Sequence, residues 1–347
     1  MVGLKCFRTS KLWRFSRDIG QVEGSNPRTM GFDSIICDMS WCTWRLRNDM
    51  VFMKKKGCIE VLFIDVRLPH FMWIRSRCQL LGFDKFIPSY ATATNKEISI
   101  GVNYGSGGSG IRKETGSHMG DRYSMDRQLL HHKSIISRIS RLKKNTKFLR
   151  KCIYIVNIGS NDYINNYYMP DLYNTSHMYT KRQYAKVLIN QYSGQLKSLY
   201  SLGGRKIAVF SLAPIGCSPI YINKFGTYGK PCVQKMNEAV TLFNDRLKAL
   251  VHTLNHKKSD AKFTFINLGS ILSPLGDVPM PNSPCCLVRK DGQCIPKSIP
   301  CPMRSVSIFF DGLHPTEVSN NIIATRSYSG VSQKDASPYD ISQLAQL

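Results

Sequence analysis

In residues 311–316 (DGLHPT) an aspartate stands three positions ahead of a histidine, so the Asp311 carboxylate can meet the His314 imidazole across one turn. Such a pair fixes the imidazole tautomer and stabilises the imidazolium, as a histidine acting as general base requires. Residues 159–162 (GSND) come directly after an apolar run. The Asn161 amide therefore stands where a strand should end and can donate to a developing oxyanion. An Asx-turn closing that strand is the other use of the same residues. Residues 103–111 (NYGSGGSGI) are bare enough for backbone N–H groups to approach a ligand closely. Gly105, Gly107 and Gly110 also fit G-x-G-x-x-G, but the residues after Gly110 are polar and broken, without a clear helix or a ribose-binding acid. A fourth stretch, 212–219 (LAPIGCSP), is a loop exit with a cysteine suited to cross-linking.

Three apolar, β-branched runs position these groups: 152–158 (CIYIVNI), 206–212 (KIAVFSL) and 262–268 (KFTFINL). Continuous apolar runs, rather than alternating ones, suit a parallel sheet covered on both faces. Residues 98–102 add a further strand-like segment. Between the runs lie two helical stripes. One spans 181–202 through Tyr184, Leu188, Tyr192, Leu196 and Leu199, and stops at Gly203-Gly204. The other spans 234–255 through Met236, Val240, Phe243, Leu247, Leu250 and Leu254. Strand and helix in alternation predict a doubly wound α/β sheet, in which ligands bind past the C-terminal strand ends. The loops 159–162 and 214–217 are at those ends.

The chain has 347 residues, 42% of them hydrophobic, enough for a sizeable core. Its formal charge of +25 raises nucleic acid or an anionic surface as partners, but the cations are dispersed and no zinc-finger, RNP-type or basic-zipper pattern accompanies them. The densest cluster, residues 133–151, carries Ile135, Ile139, Leu142 and Leu149 on one stripe, which predicts an amphipathic helix with a solvated basic face. No run is long and apolar enough to span a bilayer, and the first twenty residues do not read as a signal peptide. Twelve cysteines include Cys285, Cys286, Cys294 and Cys301 in a proline-rich stretch. Disulfides suit such a stretch, and they imply an oxidising compartment. Zinc is the rival, without a C-x-x-C pair or a nearby histidine to favour it.

Taken in order and spacing, the NYGSGGSGI, GSND, PIGC, CC…QCIP…PCP and DGLHPTE blocks resemble plant GDSL-type esterases/lipases of the SGNH hydrolase superfamily. The likeness runs from about Gln79 to the end of the chain. It implies a flavodoxin-like, three-layer α/β/α fold with a mainly parallel sheet, and hydrolysis of carboxylic esters, from acyl lipids to small esters. By that resemblance His314 is the base, Asp311 its orienter, and Gly107 and Asn161 donate to the oxyanion. No cofactor or metal is required, the substrate is a lipid or small-molecule ester, and the family is typically secreted.

One block is missing. The family opens with a strand ending in Gly-Asp-Ser-Leu, whose serine is the nucleophile, and no Gly-Asp-Ser exists here. The nearest approach, residues 31–34 (GFDS), makes Ser34 the candidate nucleophile, ahead of Ser106 and Ser109 in the glycine loop. Residues 59–66 (IEVLFIDV) read as a strand but hold valine where the serine should be. Residues 1–78 are thus foreign to the family pattern, as in a mispredicted gene or a truncated pseudogene, and 79–347 form a hydrolase domain without its first block. The sheet is then expected to lack a central strand. Impaired or absent turnover is the consequence, with a non-catalytic binder of acyl or cell-wall ligands as the alternative. Association with an anionic cell wall or membrane surface would be electrostatic.

Overall fold

The computed structural model describes residues 2–5, 87–143, 147–273 and 283–347. Ser34, the strand-like segment 59–66 and the start of the family resemblance at Gln79 lie outside the described residues. Among the described residues six strands form one sheet: β1 (Val2–Lys5), β2 (Gly101–Asn103), β3 (Ile153–Val156), β4 (Lys206–Phe210), β5 (Lys262–Ile266) and β6 (Ala336–Ser337). Their spatial order is β2-β1-β3-β4-β5-β6. The three apolar runs form the parallel centre, with Ile153 opposite Lys206 and Lys206 opposite Lys262. β6 closes one edge antiparallel to β5. The expected gap in the sheet is filled, because β1 sits between β2 and β3 and runs antiparallel to both. Strands β2 to β5 therefore all point one way, and the sheet is mainly parallel, as expected.

Alternate side chains feed two cores. Tyr154, Val156, Ile207, Val209, Phe263 and Phe265 face one way and pack under α1 (Met125–Lys143), α2 (Lys181–Ser201) and, after the short α3 (Pro219–Phe225), α4 (Gln234–Lys257). Ile153, Ala208, Phe210 and Ile266 face the other way, against Ile323 of α5 (Glu317–Tyr328) and Ile341 and Leu344 of α6 (Ile341–Gln346). These are the three layers of an α/β/α fold. The predicted stripe on α2 is buried throughout, and Thr180 starts the helix with a capping box to Gln183. On α4 the stripe drifts: Val251 is buried and Leu250 only partly so.

Two boundaries differ from expectation. The helix predicted over 133–151 is α1 to Lys143, and residues Lys147–Lys151 form a separate 3-10 turn that buries Leu149. Leu142 is exposed, so the last turn of α1 has no apolar anchor and the stripe does not continue through it. Residues Glu97–Ser99 are likewise a 3-10 turn, with Ile100 exposed, and extended backbone begins only at Gly101.

Helix α4 also supplies polar clamps for the loops at the site. Asn244 Nδ2 donates to the Leu212 carbonyl (2.9 Å) while its Oδ1 accepts from the Leu212 N–H (2.8 Å). Asn237 Oδ1 accepts from the Gly216 N–H at 2.8 Å, and a Cys217–Cys232 disulfide closes the 212–219 loop onto the start of α4. Each clamp satisfies backbone groups that leave the sheet without ladder partners.

Candidate active site

The Asp311–His314 pair forms as its spacing predicts. Both side chains are buried, at 6% and 5% exposure, and His314 Nδ1 lies 2.6 Å from each Asp311 carboxylate oxygen. Asp311 Oδ1 also accepts from the backbone N–H groups of Leu313 and His314, both at 2.7 Å. The carboxylate is thereby locked in one rotamer. A carboxylate at Nδ1 makes that nitrogen the proton carrier and leaves Nε2 as the basic one. The Phe310 N–H donates to the His314 carbonyl at 2.7 Å, so a short loop holds the pair directly before α5.

Asn161 lies in the helical turn Ser160–Asp162, just past β3. Its Nδ2 donates to the Ser109 carbonyl at 2.9 Å, and its Oδ1 accepts from Asn165 Nδ2 at 2.7 Å. The amide is oriented from both ends and touches the glycine loop that contains Gly107. The structure thus brings Asp311 to His314, and Asn161 to the loop of Gly107. Both pairs sit past the C-terminal ends of strands, the dyad loop through the Gly312 carbonyl, which accepts from Ile220 N–H in α3. Ser106 and Ser109 have other tasks: Ser109 Oγ donates to the Ser106 carbonyl (2.6 Å), and Ser106 Oγ accepts from the Tyr123 N–H (3.0 Å). No helix opens at Gly110; residues 111–116 turn irregularly, Ser117–Met119 form a single 3-10 turn and α1 begins at Met125, which removes the dinucleotide reading.

Sequence reasoning missed Asp162. It is fully buried and accepts from the N–H groups of Ile111 (2.8 Å) and Arg112 (3.0 Å) and from Thr115 Oγ1 (2.7 Å). Gln191 and Gln195 hold the Ile111 carbonyl at 3.0 and 2.9 Å, so this residue is fixed on both sides. Gly110 must be glycine for the close approach, since a Cβ there would stand 2.5 Å from Asp162 Oδ2. Burial pushes the Asp162 carboxyl up to about 6, against the Thr115, Arg112 and Ile111 hydrogen bonds that favour its charge. One signal could have found it: Asp162 is the sole acid between Asp126 and Asp171.

The four late cysteines are cross-linked as Cys285–Cys301 and Cys286–Cys294, which decides between disulfide and zinc because a cystine sulfur is not a thiolate ligand.

Comparison with known proteins identifies the family. The GDSL-like Lipase/Acylhydrolase family matches residues 64–326. The chain is 42% identical over 282 residues to the GDSL esterase/lipase At1g29670 of Arabidopsis thaliana, covering 78% of this chain and 77% of that protein. It is 43% identical over 272 residues to the GDSL esterase/lipase At2g19010 of the same plant, covering 77% of each.

Proposed function

The chain belongs to the GDSL-like lipase/acylhydrolase family, and on that premise we propose that it is a carboxylic ester hydrolase with impaired turnover, built for acyl lipids or small esters. The observation that carries the reading is the buried Asp311–His314 pair at 2.6 Å, with its tautomer set by the carboxylate. In the reaction, His314 Nε2 takes the proton of a serine hydroxyl as that oxygen adds to the ester carbonyl. The Gly107 N–H and Asn161 Nδ2 receive the oxyanion, the protonated imidazole gives its proton to the leaving alkoxide, and water then releases the acyl group by the same route. Asp311 holds the imidazolium throughout.

Impairment is supported by the strand in the sheet's central slot. Its sequence, VGLK, contains no serine, and its antiparallel direction pairs Lys5 with Ile153 and Val2 with Val156. A nucleophile carried directly after β1 would thus emerge at the end of the sheet opposite His314. The test is labelling of the folded chain with a fluorophosphonate, a probe that needs an activated serine, with His314→Ala as control and peptide mapping of any adduct. The expected result is no labelled serine, and hydrolysis of an aryl ester at no more than about 10³–10⁴-fold over water, the level that binding and oxyanion donors sustain alone. His314→Ala should barely change that rate, because triad members act as a unit. A serine labelled in the parent chain and not in His314→Ala would overturn impairment and name the nucleophile. Acyl-ligand binding with no hydrolysis at all would favour the non-catalytic alternative.

An extracellular location and electrostatic association with an anionic cell-wall or membrane surface belong to the same proposal. The disulfides Cys217–Cys232, Cys285–Cys301 and Cys286–Cys294 support the first. The second is supported by charge placement: residues 127–161 and 172–237 contain no acid at all. Lys151, Lys206 and Lys262 lie together at the sheet end away from His314, where burial and the neighbouring Lys151 charge push the Lys206 ammonium down. Changing Lys147, Lys151 and Lys262 to glutamine should lower the salt needed for elution from a carboxylated matrix, by more than three such changes at Lys113, Lys290 and Lys334. Equal shifts would remove any role for this face.

A further inference from the structure

The dyad loop is braced from outside as well as by its own hydrogen bonds. Its backbone is built against the disulfide-bearing stretch just before it. The Cys285 N–H donates to the carbonyls of Phe309 (3.1 Å) and Phe310 (3.0 Å), the residues that lead into Asp311. On the other side the Gly312 N–H, between Asp311 and His314, donates to the Gly292 carbonyl at 2.7 Å. Gly292 ends a tight turn, with its N–H on the Arg289 carbonyl at 2.9 Å and a positive φ of 80°. The Cys286–Cys294 disulfide closes a ring around that turn, and Val288 pairs with Cys294 across it.

Contact here is tight on both strands of the loop. A Cβ on Gly292 would meet Ile220 Cδ1 at 2.8 Å, and one on Gly312 would meet Gly292 Cα at 2.9 Å. Ile220 in turn donates its N–H to the Gly312 carbonyl at 3.1 Å. Gly312 is therefore held through both its N–H and its C=O, by Gly292 and by Ile220. Asp311 and His314 flank it.

We propose that Gly292, fixed by the Cys286–Cys294 ring, is a positioning residue for the Asp311–His314 pair, so that the geometry of the base depends on this disulfide. The inference rests on reading His314 as the general base. It concerns a backbone contact that forms whether or not a nucleophile is present. Its readout is accordingly the imidazole itself and not turnover.

The experiment is NMR of the full-length chain labelled at histidine, tracking the low-field Nδ1–H proton of His314, together with amide exchange of the 309–316 segment. Three forms are compared with the parent: Cys286→Ser/Cys294→Ser, Gly292→Ala, and Gly292→Ala/Ile220→Ala. The first two should lose the Nδ1–H resonance to solvent exchange and speed exchange at Gly312, while the resonances of α2 and α4 stay in place. The third should recover the resonance in part: removing Ile220 Cγ1 and Cδ1 makes room for the new methyl, while the strain of an L residue at a φ of 80° stays. A merely structural role predicts the reverse, since truncating Ile220 can only weaken packing further. Should the cysteine variant not fold, the Gly292 pair still decides. An unchanged His314 resonance in folded Gly292→Ala, or in the folded Cys286→Ser/Cys294→Ser form, overturns the proposal. Fluorophosphonate labelling run in parallel reports on the hydrolase reading separately.

Discussion

Replacing Asp162 with alanine is expected to destabilise the chain by about 2–6 kcal/mol and to free the glycine loop. The side chain is fully buried and is the acceptor for two backbone N–H groups, of Ile111 and Arg112, as well as for Thr115 Oγ1. Each buried N–H left without an acceptor costs about 1–3 kcal/mol. Asparagine in the same place keeps one acceptor but turns an amide N–H₂ toward the other donors. The pH dependence gives a second, independent check. Burial raises the folded carboxyl to about 6 from an ordinary 3.8, so the neutral form is the one that folding favours. Asp162 therefore contributes stability that is full below pH 3.8 and is lost as the pH rises through about 6. That difference is worth on the order of 3 kcal/mol at 1.36 kcal/mol per unit. Relative to Asp162→Asn, which has no titrating group there, the parent chain should lose about that much between pH 4 and 7 in urea titrations. A constant difference between the two across that range would show that the three donors, and not burial, set this carboxyl.

The contrast between Asp162 and the dyad explains what could be read from sequence. Asp311 and His314 are three residues apart, so their meeting is a local event that spacing reveals. The partners of Asp162 lie 47 to 51 residues upstream, and two of the three are backbone N–H groups, which every residue type but proline carries. Nothing in composition marks which amides a loop will present. The same distinction runs through the fold. The stripes on α2 and α4 and the three apolar runs were legible because burial on one face leaves a periodic trace. The end of α1 was not, because a basic run with a few apolar residues scans as helix whether or not its last turn packs. Disulfide pairing could not be read either, since four cysteines allow three pairings and the choice is made by the fold of the 283–301 stretch. Least legible was β1. Its place is given by backbone register against β2 and β3, and four residues are too few to show a period.

Truncating Arg326 to methionine is expected to cost about 3–5 kcal/mol, the usual penalty for stranding one partner of a buried ion pair. Arg326 Nε and one terminal nitrogen donate to Asp335 Oδ2 and Oδ1 at 2.9 and 2.7 Å, with both side chains almost wholly buried. The other guanidinium nitrogen donates to the Ile271 carbonyl at 2.8 Å, and Ser270 Oγ donates to Asp335 Oδ1 at 2.7 Å. The Asp335 carbonyl also accepts the Asn267 N–H at 2.8 Å, at the exit of β5. One charge pair thus ties α5, the turn after β5 and the strand β6 into the second core. Burial alone would raise the Asp335 carboxyl, but hydrogen bonds from Arg326, Ser270 and Ser332 and the Arg326 charge hold it below its ordinary value. Its contribution is therefore present above the unfolded carboxyl value and is lost as the pH falls through the lower folded one. Removing both charges, as Arg326→Met/Asp335→Leu, should recover part of the loss, because the stranded ion is gone. Recovery must stay incomplete, since Asp335 Oδ2 also accepts the N–H groups of Val331 and Ser332 at 3.2 Å and leucine cannot. Urea unfolding of the two single variants, Arg326→Met and Asp335→Leu, and the double gives the coupling energy directly. Additive losses would mean that the pair stabilises only through its separate backbone contacts. A coupling of several kcal/mol would make it the latch of the layer that backs the site.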